Sequence, residues 1–267
     1  MLGDLGAEVI KIERPGAGDD TRAWGPPFLK DKDGNETRES AYYLSVNRGK
    51  RSLAIDLATD EGRAIVRALA GRADILLENF KAGTLAKFGL DYDAMEKVNP
   101  RLIYCSITGF GQSGPRRDEA AYDFAIQAMG GLMSITGQPD GAPGGGPQKV
   151  GVPIVDLMTG MYAAVAVLAA LAGRERSGRG DYIDLAMLDV LERAGEAFAK
   201  FGSKGGALRA VDVGSQDFRY AFALERWLRR LSVWDQRTDR EGQRNEKGQP
   251  QRAQEAFRQK LGRTKHR

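Results

Sequence analysis

Chemistry in this chain centres on one carboxylate. Asp156 stands in Lys149-Val-Gly-Val-Pro-Ile-Val-Asp-Leu-Met-Thr-Gly-Met-Tyr162, where a Pro-containing extended approach runs into an almost uncharged stretch from Leu157 to Gly173. Aspartate is a favoured N-cap because its oxygens accept the free amide hydrogens of a first helical turn. The same position also suits a carboxylate nucleophile, with the positive end of the helix dipole available to a developing oxyanion. Taken alone, Asp156 reads first as a cap. The rest of the chain offers few competing reactive groups. The single histidine, His266, is next to last, and the single cysteine, Cys105, lies in an apolar run. A Ser-His-Asp triad, a histidine-based metal cluster and an internal disulfide are therefore not expected. No metal site is assigned.

The elements that must position Asp156 follow from periodicity. Short apolar runs at Glu8–Glu13, Arg51–Asp56, Ala73–Glu78, Leu102–Thr108 and Tyr182–Met187 read as strands. Helical patterns separate them: one opened by Thr59-Asp-Glu-Gly, two short segments closed by Asn99-Pro100, one near 120–133, and the long one after Asp156. Met1–Ala7 reads as the last turns of a helix, and the region to Lys50 as a polar, glycine-rich excursion. Strands alternating with helices predict an α/β fold with a mostly parallel sheet flanked by helices. Ligands in such folds gather at the carboxyl ends of strands, where Arg14, Asp56, Asn79 and Thr108–Gly114 fall.

Composition changes near residue 190. Residues 1–190 carry 22 Lys and Arg against 26 Asp and Glu; residues 191–267 carry 18 against 10. The expected organisation is a main domain over 1–190 and an atypical basic tail over 191–267, helical or disordered. The tail is read as solvated rather than as a nucleic-acid surface. With no apolar leader and no uncharged run of membrane-spanning length, a cytoplasmic protein without membrane contact is expected. Gly109-Phe-Gly-Gln-Ser-Gly114 has the spacing G-x-G-x-x-G, but Pro115-Arg-Arg follows instead of a helix, so a dinucleotide site is disfavoured.

Several segments are more specific together than singly. Asp4–Pro15, Asn47–Leu57, Asp74–Phe80, Asn99–Tyr104, Gly109–Pro115, the Asp156 segment and Gly178–Asp189 occur in that order. This series resembles the class III CoA-transferases, a family that includes formyl-CoA transferase, carnitine CoA-transferase and, on a divergent branch, α-methylacyl-CoA racemase. The resemblance covers residues 1 to about 190 and implies a Rossmann-like large domain, shortened at both ends relative to the family pattern.

It also implies that Asp156 is the nucleophile moving coenzyme A from an acyl-CoA to a small carboxylic acid through an aspartyl-CoA thioester. No cofactor beyond CoA is implied, and an interlocked homodimer is. Arg14 corresponds to an arginine suited to a CoA phosphate. Ile55, Asp56, Leu57 and Ala58 correspond to a segment lying along CoA, and Asn79, Phe80 and Lys81 to a strand-end contact. Lys87 and Tyr122 complete the carried-over CoA positions, while Ala120 replaces a family lysine. Racemases of the family have a histidine where this chain has Tyr122, a poor proton-abstracting base at its ordinary pKa. Transferase is favoured, and an inactive fragment that still binds CoA is the alternative.

Overall fold

The computed structural model describes residues 1–193, so the expected 191–267 tail lies almost wholly outside the described residues. Seven strands and five α-helices occur in it: β1 Val9–Glu13, β2 Phe28–Lys30, β3 Glu36–Ser40, α1 Ala41–Asn47, β4 Lys50–Ala54, α2 Asp60–Ala70, β5 Ile75–Glu78, α3 Tyr92–Val98, β6 Ile103–Thr108, α4 Asp123–Met129, α5 Ile154–Ser177 and β7 Tyr182–Ala186. The α/β class is as expected. Instead of one continuous sheet, however, the parallel strands form two groups, β1–β4 and β5–β6–β7, with β2–β3 an antiparallel hairpin.

β6 shows why the fold has layers. Its residues alternate between two clusters, as side chains of a strand alternate between faces. Ile103 and Cys105 pack with Ala163 and Val167 of α5, while Tyr104 and the preceding Leu102 pack with Ala70, Leu85, Leu90 and Met95. A strand buried on both faces reads as a near-continuous apolar run, which is what Leu102–Cys105 spells before the polar Ser106. Burial pushes the Cys105 thiol up to about 12, so this cysteine is core material and not a nucleophile.

Local signals explain most boundaries. Thr59 caps α2, its hydroxyl accepting the Gly62 amide at 3.0 Å. Gly178 closes α5 at φ 71°, a left-handed conformation that glycine adopts without steric cost, and its amide bonds Arg174 O. Arg174 is itself buried and donates to the Asp74 carboxylate at 2.7 Å and to Arg101 O at 3.1 Å, tying the far end of α5 to the starts of β5 and β6.

Two expectations are corrected. Met1–Ala7 contains only a 3-10 turn over Gly3–Leu5, too short a segment to show helical periodicity. The polar excursion before Lys50 is structured, holding the hairpin and α1, whose N-cap Ser40 accepts the Tyr43 amide at 3.0 Å. A buried knot explains that order. Glu13, 6% exposed, accepts hydrogen bonds from Arg22, from the Tyr43 hydroxyl at 3.1 Å and from the Ser52 hydroxyl at 3.0 Å. One carboxylate thus ties β1, the following loop, α1 and β4 together, beyond the reach of any local pattern.

The long helix also differs from expectation. α5 starts at Ile154 and runs 24 residues, so Asp156 lies inside its first turn and not at its cap. By length and composition it would suffice to cross a membrane. Val155, Ala163 and Val167 are nevertheless buried against the sheet and α4, as in the core helix of an α/β protein. The opposite side carries an exposed apolar row: Leu157, Met161, Val165 and Leu168.

Candidate active site

The start of α5 is built around a residue the sequence reading had not singled out. Asp123, the first residue of α4, accepts the Val155 amide at 2.8 Å and the Asp156 amide at 3.2 Å through one oxygen. Its other oxygen accepts from Gln127 Nε2, and Gln127, fully buried, accepts the Val150 amide at 2.8 Å. The remaining first-turn amides bond backbone: Ile154 to Val152 O at 2.8 Å and Leu157 to Pro153 O at 3.0 Å. The cap of α5 is therefore supplied from α4, and the capping role expected of Asp156 belongs to Asp123. The amides at this helix terminus are occupied, so they do not offer the oxyanion donors anticipated for it. An aspartate opening an apolar helix was visible in the sequence. Which neighbouring helix it would cap was not.

Freed from capping, the Asp156 carboxylate makes no hydrogen bond or ion pair with a described residue. It remains open to solvent on one side. Partial burial and then the negative charge of Asp123 raise its pKa above the ordinary carboxylate range. Both effects work against the favourable helix dipole. The result is an ionisable carboxylate on the first turn of α5 with no competing partner among the described residues, an arrangement that suits covalent catalysis.

Two aromatic residues from the structured excursion complete this neighbourhood. The Tyr42 hydroxyl is pushed up by burial and then by the negative charges of Asp156, Asp123 and Asp19. The Trp24 ring lies 5.3 Å from the Tyr42 ring and is half exposed. Neither residue has a sequence signature, because the loop and helix carrying them are fixed by the Glu13 knot.

The expected CoA positions fall in three places. Arg14 follows β1, and Ile55–Ala58 follows β4 alongside it, with the Ile55 amide bonded to Glu13 O at 2.9 Å. The Arg14 guanidinium is exposed and only loosely paired with Asp20 at 3.7 Å, leaving its donors available to a phosphate. Ile55 is buried; Asp56 turns back to accept the Ala58 amide at 2.9 Å. Asn79, Phe80 and Lys81 follow β5 and are exposed, with Lys87 on a nearby 3-10 turn over Leu85–Phe88. Tyr122, two-thirds exposed, immediately precedes Asp123, whose carboxylate accepts the Asp156 amide. All the strand-end positions are at carboxyl ends, as the fold class requires. No hydrogen bond or ion pair among described residues joins Arg14, Asn79 or Lys81 to Asp156.

Comparison with known sequences decides what this arrangement belongs to. The sequence model of CoA-transferase family III matches residues 1–223. This chain belongs to CoA-transferase family III. Among its relatives, the succinate–glutarate CoA-transferase of Agrobacterium fabrum is 56% identical over 190 residues, covering 71% of this chain and 46% of that protein. The succinyl-CoA:glutarate CoA-transferase of Mus musculus is 50% identical over 187 residues, covering 70% and 40%. This family member thus spans less than half the length of either relative. In three dimensions it is similar to a CAIB/BAIF family protein from Brucella suis, with TM-score 0.69 and 48% identity over 78% of this chain and 53% of that one.

Packing within the family fold makes one glycine testable. A Cβ on Gly62 would lie 1.9 Å from Asp56 O, so the first turn of α2 packs directly on the 55–58 backbone. Gly62→Ala is expected to displace that segment and to cost about 1–3 kcal/mol of stability, the usual range for overpacking. Thermal unfolding checks the cost. An unchanged midpoint would show that the contact relaxes freely.

Proposed function

We propose that this chain carries the nucleophilic half of a CoA-transferase: Asp156 receives coenzyme A from an acyl-CoA and passes it to a free carboxylic acid. The observation that carries the reading is the Asp156 carboxylate, bonded to no described residue and presented by a helix whose capping is done by another residue. Its membership in the family and the order of its strand-end segments support the same conclusion.

The reaction needs only carboxylate and thioester chemistry. A carboxylate oxygen of Asp156 attacks the thioester carbonyl; the C–S bond breaks, giving a mixed anhydride and CoA thiolate. The thiolate attacks the aspartyl carbonyl, releasing the donor acid and leaving an aspartyl-CoA thioester. The acceptor carboxylate then attacks that thioester carbonyl, regenerating thiolate and a second mixed anhydride. Attack of thiolate on the acceptor acyl carbon yields the new acyl-CoA and restores the Asp156 carboxylate. Every bond broken is replaced by one of comparable energy, so exclusion of water is the enzyme's main burden. Arg14 would hold a phosphate of CoA, and residues 55–58 and 79–81 would flank it, with Lys87 adding a second positive charge. The relatives' names favour small dicarboxylates such as succinate and glutarate as the acids exchanged.

Incubating the chain with succinyl-CoA and isotopically labelled glutarate tests this directly. Labelled glutaryl-CoA and a hydroxylamine-trappable adduct on Asp156 are expected. CoA binding without any exchange would assign the chain a binding role alone. We further propose that the exposed row Leu157, Met161, Val165 and Leu168 is covered in a homodimer. Light scattering should then give twice the chain mass, and Val165→Glu should return it to monomer.

A further inference from the structure

The carboxyl end of the three-stranded sheet carries a row of polar side chains that the reaction above does not use. Glu78, Ser106 and Asp184 are register partners on β5, β6 and β7, so their side chains share one face of the sheet. On that face the preceding row, Leu76, Tyr104 and Tyr182, is packed in the apolar cluster with Leu90 and Met95. The switch from apolar to polar occurs in one step of the pleat.

The polar row is connected, and its ends are informative. Ser106, 1% exposed, donates its hydroxyl to Glu78 Oε1 and accepts Gln112 Nε2 at 2.7 Å. Glu78 Oε2 accepts the Phe80 amide at 2.8 Å, and Asp184 accepts the Gln112 amide at 3.0 Å. Gln112 belongs to the Gly109–Gly114 loop, which no dinucleotide occupies in this reading. Phe80 lies between Asn79 and Lys81, the strand-end segment assigned to CoA. A continuous path of hydrogen bonds therefore joins the glycine loop to that segment through the floor of the sheet. Segment 79–81 has no regular secondary structure of its own, and beyond the β5–β6 pairing that precedes it this path ties its Phe80 amide to the β6–β7 side.

We propose that Glu78, Ser106 and Gln112 are positioning residues for the acyl-CoA site, holding segment 79–81 and the Gly109–Gly114 loop in fixed relation. This rests on the assignment of 79–81 to CoA. None of the three touches the reacting atoms. They act by fixing the Phe80 backbone, and so the directions in which Asn79 and Lys81 project. A preorganised segment loses less freedom on binding, so the relay raises affinity without adding a contact.

Amide hydrogen exchange and CoA calorimetry on the full chain, with variants, test the proposal. Glu78→Leu and Ser106→Ala each break the path; Glu78→Gln keeps an acceptor for the Phe80 amide and serves as the conservative rescue. Tyr104→Phe removes a buried hydroxyl bonded to Leu90 O at 3.0 Å and controls for general loosening of the same sheet. Loss of one hydrogen bond corresponds to about tenfold in an equilibrium, so Phe80 exchange should quicken and CoA affinity fall by about that factor in the breaking variants. Glu78→Gln should stay within about threefold of the unmodified chain, and Tyr104→Phe should leave both readings unchanged after correction for global stability. Gln112→Ala, on the loop, gives the same reading should Glu78→Leu fail to fold. Unaltered Phe80 exchange in Ser106→Ala and Gln112→Ala would overturn the relay. Quickened exchange with unaltered CoA affinity would overturn its role at the site. An unmodified chain that binds no CoA would instead sink the assignment of 79–81, and the exchange comparison would still decide whether the path holds Phe80.

Discussion

Asp156→Asn should lower CoA exchange by at least about 10³-fold while leaving the fold intact, because an amide of the same size cannot form the acyl bond. The structure makes this a clean substitution. Its carboxylate bonds no described residue, and the α5 amides it might have capped are already taken by Asp123. Removing a carboxylate that is partly desolvated and faces a second negative charge should leave the melting temperature unchanged or slightly raised. A collapse in stability would show that Asp156 is structural after all. Exchange of label from a carboxylic acid into acyl-CoA, followed beside thermal unfolding, separates the two outcomes. Retention of exchange within tenfold would remove Asp156 from the mechanism.

The second large effect is expected at Asp123, and it should divide between stability and pH dependence. Asp123→Ala strands the amide of Val155, a fully buried residue, together with the buried Gln127 side chain, and should cost about 2–3 kcal/mol. Asp123→Asn keeps an acceptor for the α5 amides but removes the negative charge. The sign of the pH effect follows from the raised pKa of Asp156. The nucleophile must be ionised, so the acid limb of kcat/KM in the unmodified chain should lie above the ordinary carboxylate range. In Asp123→Asn one of the two causes of that elevation is gone, and the limb should move to lower pH. An acid limb that stays in place would mean that burial alone sets the Asp156 pKa.

These effects mark where local reading stops. The strands β1, β4, β5, β6 and β7 were legible because each is a short apolar run bounded by turn residues, and the sequence places Arg14, Asp56 and Asn79 just beyond them. The helix cap at Thr59 and the terminator Gly178 were legible for the same reason: capping depends on residues three or four apart. Ordered segments over the first 190 residues also sufficed to bring out the family, and they are the ground on which Asp156 is proposed as the nucleophile.

What the sequence could not yield were relations between distant residues. The true cap of α5 sits 33 positions before Asp156, on another helix. The helix carrying Tyr42 is fixed only because Glu13, Arg22, Tyr43 and Ser52, spread over 39 positions, close one buried knot. The path from Gln112 to Phe80 exists only once three strands lie in register. Covalent order thus singled out the carboxylate proposed to react. Tertiary packing decided that it bonds no described residue, since a side chain is released from capping only when some other group meets the backbone's demand for hydrogen bonds.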